Sequence, residues 1–380
     1  MHSHLGHTTM ENGDRRPQHE QRIFRTLKED LFRGGIPGSV HREFQEVKEY
    51  MLDEQRRRRL THMSRWTRWF YTWLWILKSM FYKLTPARRV FLTLGILLVF
   101  MSRTSFTLGG SGTLEIDTTI PGVLIILLIL TMELKDKLLA REELEAGRAV
   151  QHALMPERSP ELPGWQLWLF TRSANEVGGD LVDFVSVNDE RYGVVLGDVA
   201  GKGLSAALLM VRLQATLKAI VADFVSLGDL GQKLNLVFCR DCLPSIFASM
   251  VYLELKPHSG VVNVLNAGHM PPVVVRGATL ESLPKGGAAL GLTDQAIYAS
   301  NAITLAPNDI LAAYSDGVTE AQSPAGEFFG EERLFEFLAQ HGSQPIAALG
   351  EDLVKCVDAF IAGGRCKDDL SIALLRRIEG

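Results

Sequence analysis

The chain has 380 residues, of which 46% are hydrophobic, enough for one large core or two smaller ones. Its net charge of -4 argues against general affinity for nucleic acid. Four cysteines, at positions 239, 242, 356 and 366, are too few and too scattered for a disulfide scaffold, and they favour a reducing compartment. Because no cysteine is followed six residues later by arginine, a cysteine-based phosphatase is also disfavoured.

The N-terminal part of the chain changes from polar to basic and aromatic. Residues 1–60 lack a hydrophobic period and predict a largely disordered segment that becomes a charged helix near its end. Ten Lys or Arg and four of the six tryptophans follow between Gln55 and Arg89, without one acidic residue. The uncharged run at 69–77 is too short to cross a bilayer, which takes about 20 residues. Residues 64–83 therefore predict an interfacial helix on anionic lipid, with a buried aromatic helix as the alternative.

Two uncharged stretches come next, at residues 90–102 and 118–132, and each is shorter than an ideal membrane span. The first has room to extend past Arg103 through residues 104–110, and charged side chains at the ends of both can reach the lipid headgroups. Because the basic residues precede the first stretch and follow the second, the two stretches predict a transmembrane hairpin with both chain termini in the cytoplasm. Residues 61–132 are thus a membrane-associated region that contains the interfacial helix and this hairpin. A core hairpin of a soluble domain is the alternative.

Residues 133–160 form a helical linker in this interpretation. The charged helical pattern ends at Pro156, where a proline-rich segment begins. A thin apolar seam of Leu139, Ala146, Val150 and Ala153 has heptad-like spacing. Such a seam would suit a homodimer contact or a passive spacer.

Residues 161–380 have the pattern of an α+β domain with mostly antiparallel strands. A long helix is expected just after Gly203, and further helices over 229–241, 331–340 and 345–361. The expected strands cover residues 181–187, 192–196, 248–255, 261–266, 271–276, 309–315 and 370–376.

Two aspartates flank a predicted hairpin in this domain. The apolar runs on either side of Asp189 place Asp180 and Asp198 at equal distances from the turn, facing each other on one side of the sheet. Like charges in that position destabilise a sheet unless a cation lies between them. Aspartate oxygens suit Mg²⁺ or Mn²⁺, so a divalent ion is the expected partner.

More aspartates stand at the ends of other predicted strands. Asp316 follows an apolar strand and precedes a glycine, and Asp368 and Asp369 come directly before the last strand. Any one of them could be an ordinary turn residue. Together with Asp180 and Asp198, they favour an acidic metal centre.

The domain resembles the PPM-type (PP2C-like) metal-dependent serine/threonine phosphatases, in their bacterial SpoIIE- and RsbU-like branch. The helix that ends in VQHALMPE is similar to the linker before such domains, whereas residues 1–130 carry none of the resemblance. Six motifs carry it in order: ANEVGGDLVDF (174–184), GDVAGKGLSAALLM (197–210), NAGHMPP (266–272), YSDGVTEA (314–321), GEFFG (326–330) and DDLS (368–371).

The resemblance implies an αββα sandwich with two Mn²⁺ or Mg²⁺ ions at one edge. It also implies hydrolysis of phosphoserine or phosphothreonine on a regulatory protein by a water held between the ions. Together with the predicted hairpin, the bacterial resemblance indicates an inner-membrane protein with its phosphatase domain in the cytoplasm. In the family such partners are often STAS-domain anti-anti-sigma factors. The implied ligands are Asp180 and Asp198, which are also the catalytic pair, the carbonyl group of Val199, Asp316, and Asp368 with Asp369 as the fallback.

Other interpretations of the same residues have weaker support. The GGD at 178–180 also resembles the diguanylate cyclase signature, but that enzyme needs Glu where this chain has Leu181. A membrane-tethered binding module with an inactive phosphatase fold is the remaining alternative, and the intact aspartates argue against it. His269 is expected to stabilise a turn rather than act as a general acid, and Arg172 or Lys202 are candidates for holding phosphate.

Overall fold

The computed structural model describes residues 52, 59–60, 63–101, 103–108, 112–156, 159–241, 246–364 and 366–379. The chain divides into two compact units, one up to Lys135 and one from Asp136 onward. The expected disorder of residues 1–60 lies almost wholly outside the described residues. The boundaries expected at residues 60, 132 and 160 remain predictions.

The first unit consists of helices and a small hairpin. Helices α1 (Arg65–Lys83) and α2 (Pro86–Met101) are followed by strands β1 (Arg103–Leu108) and β2 (Gly112–Asp117), which pair antiparallel. Helix α3 (Thr119–Ala153) then runs without a break. The first apolar stretch therefore does not continue as a helix over residues 103–108. The helix ends at Met101, and alternating Thr, Ser and Phe residues with nearby glycines form a hairpin instead.

Helix α2 and the start of helix α3 pack antiparallel. Gly95 and Gly122 lie at the crossing, where a Cβ on Gly122 would come 2.8 Å from the carbonyl oxygen of Gly95. Nearby, Thr118 Oγ1 donates to the carbonyl oxygen of Leu98 at 2.9 Å. Arg88 pairs with Glu133 at 2.6 Å towards the other end of the hairpin. Two small residues therefore allow close backbone approach, as in membrane helix pairs.

The second unit contains two five-stranded antiparallel sheets. One has the order β10-β7-β6-β5-β4 and the other β3-β12-β11-β8-β9. The strands are β3 (Trp165–Arg172), β4 (Asp180–Asn188), β5 (Arg191–Val199), β6 (Ala248–Leu255), β7 (Val261–Ala267), β8 (Val273–Arg276), β9 (Thr279–Ser282), β10 (Ser300–Thr304), β11 (Ile310–Tyr314) and β12 (Leu370–Arg377).

Helices cover the outer faces of both sheets. Helices α4 (Leu204–Ile220) and α5 (Leu227–Asp241) pack on the first sheet. Helices α7 (Gly330–His341) and α8 (Ile346–Ile361) pack on the second, and α6 (Asp316–Thr319) is a single turn. A third apolar cluster lies between the two sheets. The αββα sandwich is therefore present, and its elements match the predicted ones except for β3, β9, β10 and the single turn α6, which were not predicted.

Among the helices that the structure describes, Leu204–Asp223 alone is long and apolar enough to cross a bilayer. It includes α4, and its residues Leu213 and Leu217 are completely buried in the core against the first sheet. This helix is part of the sandwich.

Candidate metal centre

The hairpin of β4 and β5 brings Asp180 and Asp198 together. The two residues are direct cross-strand partners, as predicted. Val182, Val194 and Leu196 face the space between the sheets, whereas Leu181 and Val195 face the helices. Because side chains alternate along a strand, Asp180 and Asp198 both belong to the side that faces the second sheet.

The second sheet supplies the other aspartates at the same edge. Asp316 begins the single turn α6 one residue after β11 ends, and Asp368 and Asp369 directly precede β12, which pairs with β11. Gly317 lies so close to the Asp369 backbone that a Cβ there would overlap its carbonyl oxygen. Residues far apart in the chain thus meet where the two sheets end.

The pKa values of the aspartates reflect this crowding. Burial, followed by the charges of Asp316, Asp368 and Asp369, raises the pKa of Asp198 to about 6, and Lys202 acts in the opposite direction. Burial and then Asp368 also raise the pKa of Asp316. Carboxylates that raise one another's pKa favour a bound cation.

Asp180 is the most deeply buried of the group. Burial is the largest cause that raises its pKa well above the ordinary value, and the charge of Asp198 adds to it. The hydroxyls of Ser371 and Ser315 lie near Asp180 and act to lower its pKa. The Ser371 hydroxyl, however, donates to Thr171 Oγ1, and the Ser315 hydroxyl donates to the carbonyl oxygen of Asp369. Asp180 Oδ2 consequently has no hydrogen-bond partner among the described residues. A buried carboxylate oxygen without a hydrogen-bond partner is expected where that oxygen binds a metal ion instead.

Asp369 plays a different part from its neighbour. Its Oδ1 accepts the N–H of Ala174 at 2.7 Å, and its Oδ2 accepts those of Gly179 at 2.6 Å and Asp180 at 3.3 Å. Both oxygens are therefore used to hold the segment that carries Asp180. Asp368 is more exposed, and its Oδ2 pairs with Lys202 Nζ at 3.0 Å. Of the two, Asp368 has the carboxylate better suited to a metal.

Two glycines before Asp180 permit this close packing. A Cβ on Gly178 would come 2.5 Å from Asp369 Oδ2. A Cβ on Gly179 would come 3.3 Å from the carbonyl oxygen of Val199 and 3.6 Å from Asp198 Oδ1. The Val199 carbonyl group therefore lies beside the paired carboxylates, where the resemblance expects it.

The end of helix α3 supports the same segment, a contact that sequence reasoning did not find. Gln151 is buried; its Nε2 donates to the carbonyl oxygen of Gly178 at 2.8 Å, and its Oε1 accepts the N–H of that residue at 3.1 Å. The Gln in VQHALMPE is the signal that could have pointed to it. The helix that precedes the sandwich thus fixes the backbone two residues before Asp180.

His269 and Arg172 have structural partners. The amide of His269 donates to Asn266 Oδ1 at 2.8 Å, and its Nδ1 lies 2.9 Å from Ser249 Oγ. Burial lowers the pKa of His269 to about 4, so the ring is neutral at pH 7. A neutral ring favours the expected role in stabilising a turn over a role as general acid. Arg172 forms a two-pronged ion pair with Asp358 at 2.6 and 3.0 Å. The Arg172 guanidinium is therefore paired rather than free for phosphate in this structure.

The residues at this edge fit divalent cations, although no group of three or more potential ligand side chains among the described residues forms a ready-made site. Three observations support the fit: the direct pairing of Asp180 with Asp198, the orphaned Asp180 Oδ2, and the backbone carbonyl of Val199 beside them. Hard oxygen donors of this kind suit Mg²⁺ or Mn²⁺. Which oxygens would bind remains a prediction.

Comparison with known proteins identifies the sandwich. The family model described as "Stage II sporulation protein E (SpoIIE)" matches residues 188–378. Protein IcfG of Synechocystis is 28% identical over 60% of this chain and 40% of its own length. Phosphoserine phosphatase RsbP of Bacillus subtilis is 25% identical over 57% of this chain and 53% of its own length. The match thus spans about half the length of these relatives.

A solved structure supports the fold independently. The SiaA-PP2C domain of Pseudomonas aeruginosa superimposes with a TM-score of 0.56 at 18% identity, over 64% of this chain and 98% of that domain. The matched family model covers half of the chain and includes the aspartates at 198, 316, 368 and 369. The chain therefore belongs to the SpoIIE family of PPM-type serine/threonine phosphatases.

Proposed function

We propose that this chain is a membrane-anchored, metal-dependent phosphatase that hydrolyses phosphoserine or phosphothreonine of a regulatory protein. The observation that carries the proposal is the convergence of acidic side chains from both sheets around the pair Asp180 and Asp198. Family membership and the name of the relative RsbP support the same chemistry.

In this proposal two Mn²⁺ or Mg²⁺ ions would be held by carboxylates and one carbonyl group. When bound, such ions lower the pKa of a coordinated water and neutralise charge on phosphoryl oxygens. The proposed ligands are Asp180, Asp198, Val199 through its carbonyl oxygen, Asp316 and Asp368.

The chain's other residues position these groups. Asp369 anchors the segment before Asp180 through three backbone amides, and Gln151 fixes Gly178 from the other side. This support limits the movement of Asp180 and keeps it opposite Asp198. No side chain needs to act as a covalent nucleophile in this scheme.

The substrate would be a phosphorylated regulatory protein. RsbP is named a phosphoserine phosphatase, which supports phosphoserine as the group attacked. A STAS-domain anti-anti-sigma factor is the class of partner that the family suggests. The phosphoprotein that accumulates when the gene is removed would identify the substrate.

Exposed apolar side chains in the first unit support membrane anchoring. Phe91 and Phe100 on α2 and Leu124 and Leu128 on α3 expose more than half of their surface. Such residues are costly in water and favourable in lipid. Helix α1 has tryptophans and basic residues on its exposed surface, which suits the interface with anionic lipid. We place the sandwich on the cytoplasmic side because the basic residues flank the hairpin there.

The linker seam leaves the oligomeric state as a prediction. Leu139 and Val150 expose 47% and 61% of their surface. These side chains would suit a homodimer contact, and equally a solvated spacer.

Hydrolysis of p-nitrophenyl phosphate by the full chain, purified in detergent, tests the proposed chemistry. We expect Mn²⁺-dependent turnover that EDTA stops and that Asp198→Asn lowers by at least about 1000-fold, because one carboxylate of the central pair is lost. Turnover in EDTA, or unchanged turnover in the variant, would contradict the metal mechanism. Inactivity towards both this compound and the native phosphoprotein would favour a binding module with an inactive fold.

A further inference from the structure

The loop between β5 and α4 brings a lysine to the carboxylates. Gly201 and Gly203 have φ angles of 121° and 74°, which favour glycine, and Lys202 stands between them. Its ammonium donates to Asp368 Oδ2 at 3.0 Å and to the carbonyl oxygen of Lys367 at 2.9 Å. The lysine is thus held by two acceptors of the segment that precedes β12.

One carboxylate oxygen of Asp368 is available to a cation, and the ammonium of Lys202 binds it. Asp368 Oδ1 accepts the N–H of Asp369 at 3.1 Å, so Oδ2 is the oxygen that remains for a cation. The neighbouring Lys367 donates instead to Gln322 Oε1 at 2.5 Å. Two lysines close in space therefore differ sharply: the ammonium of one contacts a proposed metal ligand, and that of the other contacts an uncharged amide.

We propose that Lys202 is an exchangeable counter-ion, which holds Asp368 Oδ2 in the metal-free domain and is displaced when a divalent cation binds that oxygen. The inference rests on the proposed function, because it requires Asp368 to be a metal ligand. The ammonium and the metal cannot both keep the same oxygen, and two cations in one cluster repel each other. Lys202 therefore stabilises the metal-free domain and lowers its affinity for the metal.

The full chain in detergent, with Lys202→Met, tests this exchange through Mn²⁺ affinity. Free Mn²⁺ measured by electron paramagnetic resonance should show about three- to tenfold tighter binding in the variant, since a competing charge is lost. Lys367→Met is the matched control, because it removes an equal charge from an ammonium bound to Gln322. We expect its Mn²⁺ affinity to equal that of the unmodified chain.

Thermal unfolding of the same proteins gives a second readout that does not depend on activity. In EDTA the melting temperature of Lys202→Met should be lower by about 1–3 °C, because the carboxylates lose their counter-ion. At saturating Mn²⁺ the two proteins should melt together, since the metal has replaced the lysine in both. A purely structural role would lower the melting temperature under both conditions.

Unchanged or weaker Mn²⁺ binding by Lys202→Met would overturn the inference. Lys202→Arg keeps the charge and should bind Mn²⁺ with the original affinity, so an equal gain in both variants would also overturn it. Asp198→Asn separates this outcome from a failure of the proposed function. If Asp198→Asn still binds Mn²⁺ as the original chain does, the metal site itself is wrong; if it loses binding while Lys202→Met gains none, only the exchange is wrong.

Discussion

At the scale of single residues, Asp368 and Asp369 are adjacent but have different surroundings. Asp369 is buried and accepts three backbone N–H groups, whereas Asp368 is partly exposed and pairs with Lys202. The sequence motif alone cannot separate them, because both are aspartates at the start of one strand. The partners that distinguish the two carboxylates come from segments more than 160 residues away, which no local pattern reveals.

This difference predicts opposite effects of the two asparagine variants. Asp369→Asn removes one of the two acceptor oxygens and should lower stability by about 1–2 kcal/mol, or about 3–6 °C in melting temperature. Asp368→Asn should leave the melting temperature within about 2 °C but lower Mn²⁺-dependent turnover by at least about 100-fold. Thermal unfolding in EDTA and the p-nitrophenyl phosphate assay measure both effects. A stable, fully active Asp368→Asn would contradict the assigned roles.

The raised pKa values of the cluster predict how stability depends on pH. Asp198 has a pKa of about 6, and those of Asp180 and Asp316 are also raised, so the folded chain holds protons that the unfolded chain releases near 3.8. Their protonation therefore stabilises the metal-free fold at low pH, and this contribution is lost as the pH rises through about 6.

Asp198→Asn isolates the contribution of one group to this dependence. In EDTA, the loss of stability of the original chain between about pH 4 and about pH 7 should exceed that of the variant by about 1–2 kcal/mol. With saturating Mn²⁺ the sign reverses, because protons compete with the metal and binding weakens below about pH 6. Denaturant unfolding at several pH values checks both trends. Equal pH dependence of the two proteins in EDTA would show that Asp198 is not perturbed.

At the scale of elements, the end of helix α3 supports the segment that carries Asp180. Gln151 makes two hydrogen bonds with the backbone of Gly178, two residues before Asp180. A change at the end of this helix can therefore reach a proposed ligand through a short, rigid connection.

Gln151→Ala should lower turnover by about 10-fold, because two buried backbone groups lose their partners and Asp180 loses its support. His152→Ala is the matched control, since His152 is the next residue on the same helix and is exposed. The assay with p-nitrophenyl phosphate at saturating Mn²⁺, together with the melting temperature, measures the effect. If both variants retain full turnover, the contact is only structural.

The elements themselves show what a sequence can reveal. The pairing of Asp180 with Asp198 was predictable because apolar runs of similar length flank one turn, and antiparallel pairing about that turn places the two aspartates opposite each other. Strand β10 was not predictable, since its exposed residues lack a clear alternation and it depends on pairing with β7. The hairpin at 103–117 was missed because its apolar residues continue the preceding hydrophobic stretch.

At the scale of the whole molecule, the proposed membrane anchoring would place the first unit in lipid and the second in water. The first unit exposes large apolar side chains on α1, α2 and α3, whereas the large apolar side chains of the sandwich lie mostly in its three clusters. A chain with this distribution favours lipid around its first unit and water around its second.

Alkaline carbonate extraction of membranes that contain the full chain tests the anchor. We expect the chain to sediment with the membranes, because carbonate removes proteins held by charge alone but not those with apolar segments in lipid. Complete release into the supernatant would contradict a transmembrane hairpin. In that case the apolar faces of α2 and α3 would need a protein partner.

The central claim is that the aspartates of the two sheets form a metal centre. Anomalous X-ray diffraction from crystals of the full chain grown with Mn²⁺ tests it most directly. The account predicts two Mn²⁺ peaks at this edge, within about 2–2.5 Å of carboxylate oxygens of Asp180, Asp198, Asp316 and Asp368. Absence of Mn²⁺ from these carboxylates in such crystals would contradict it.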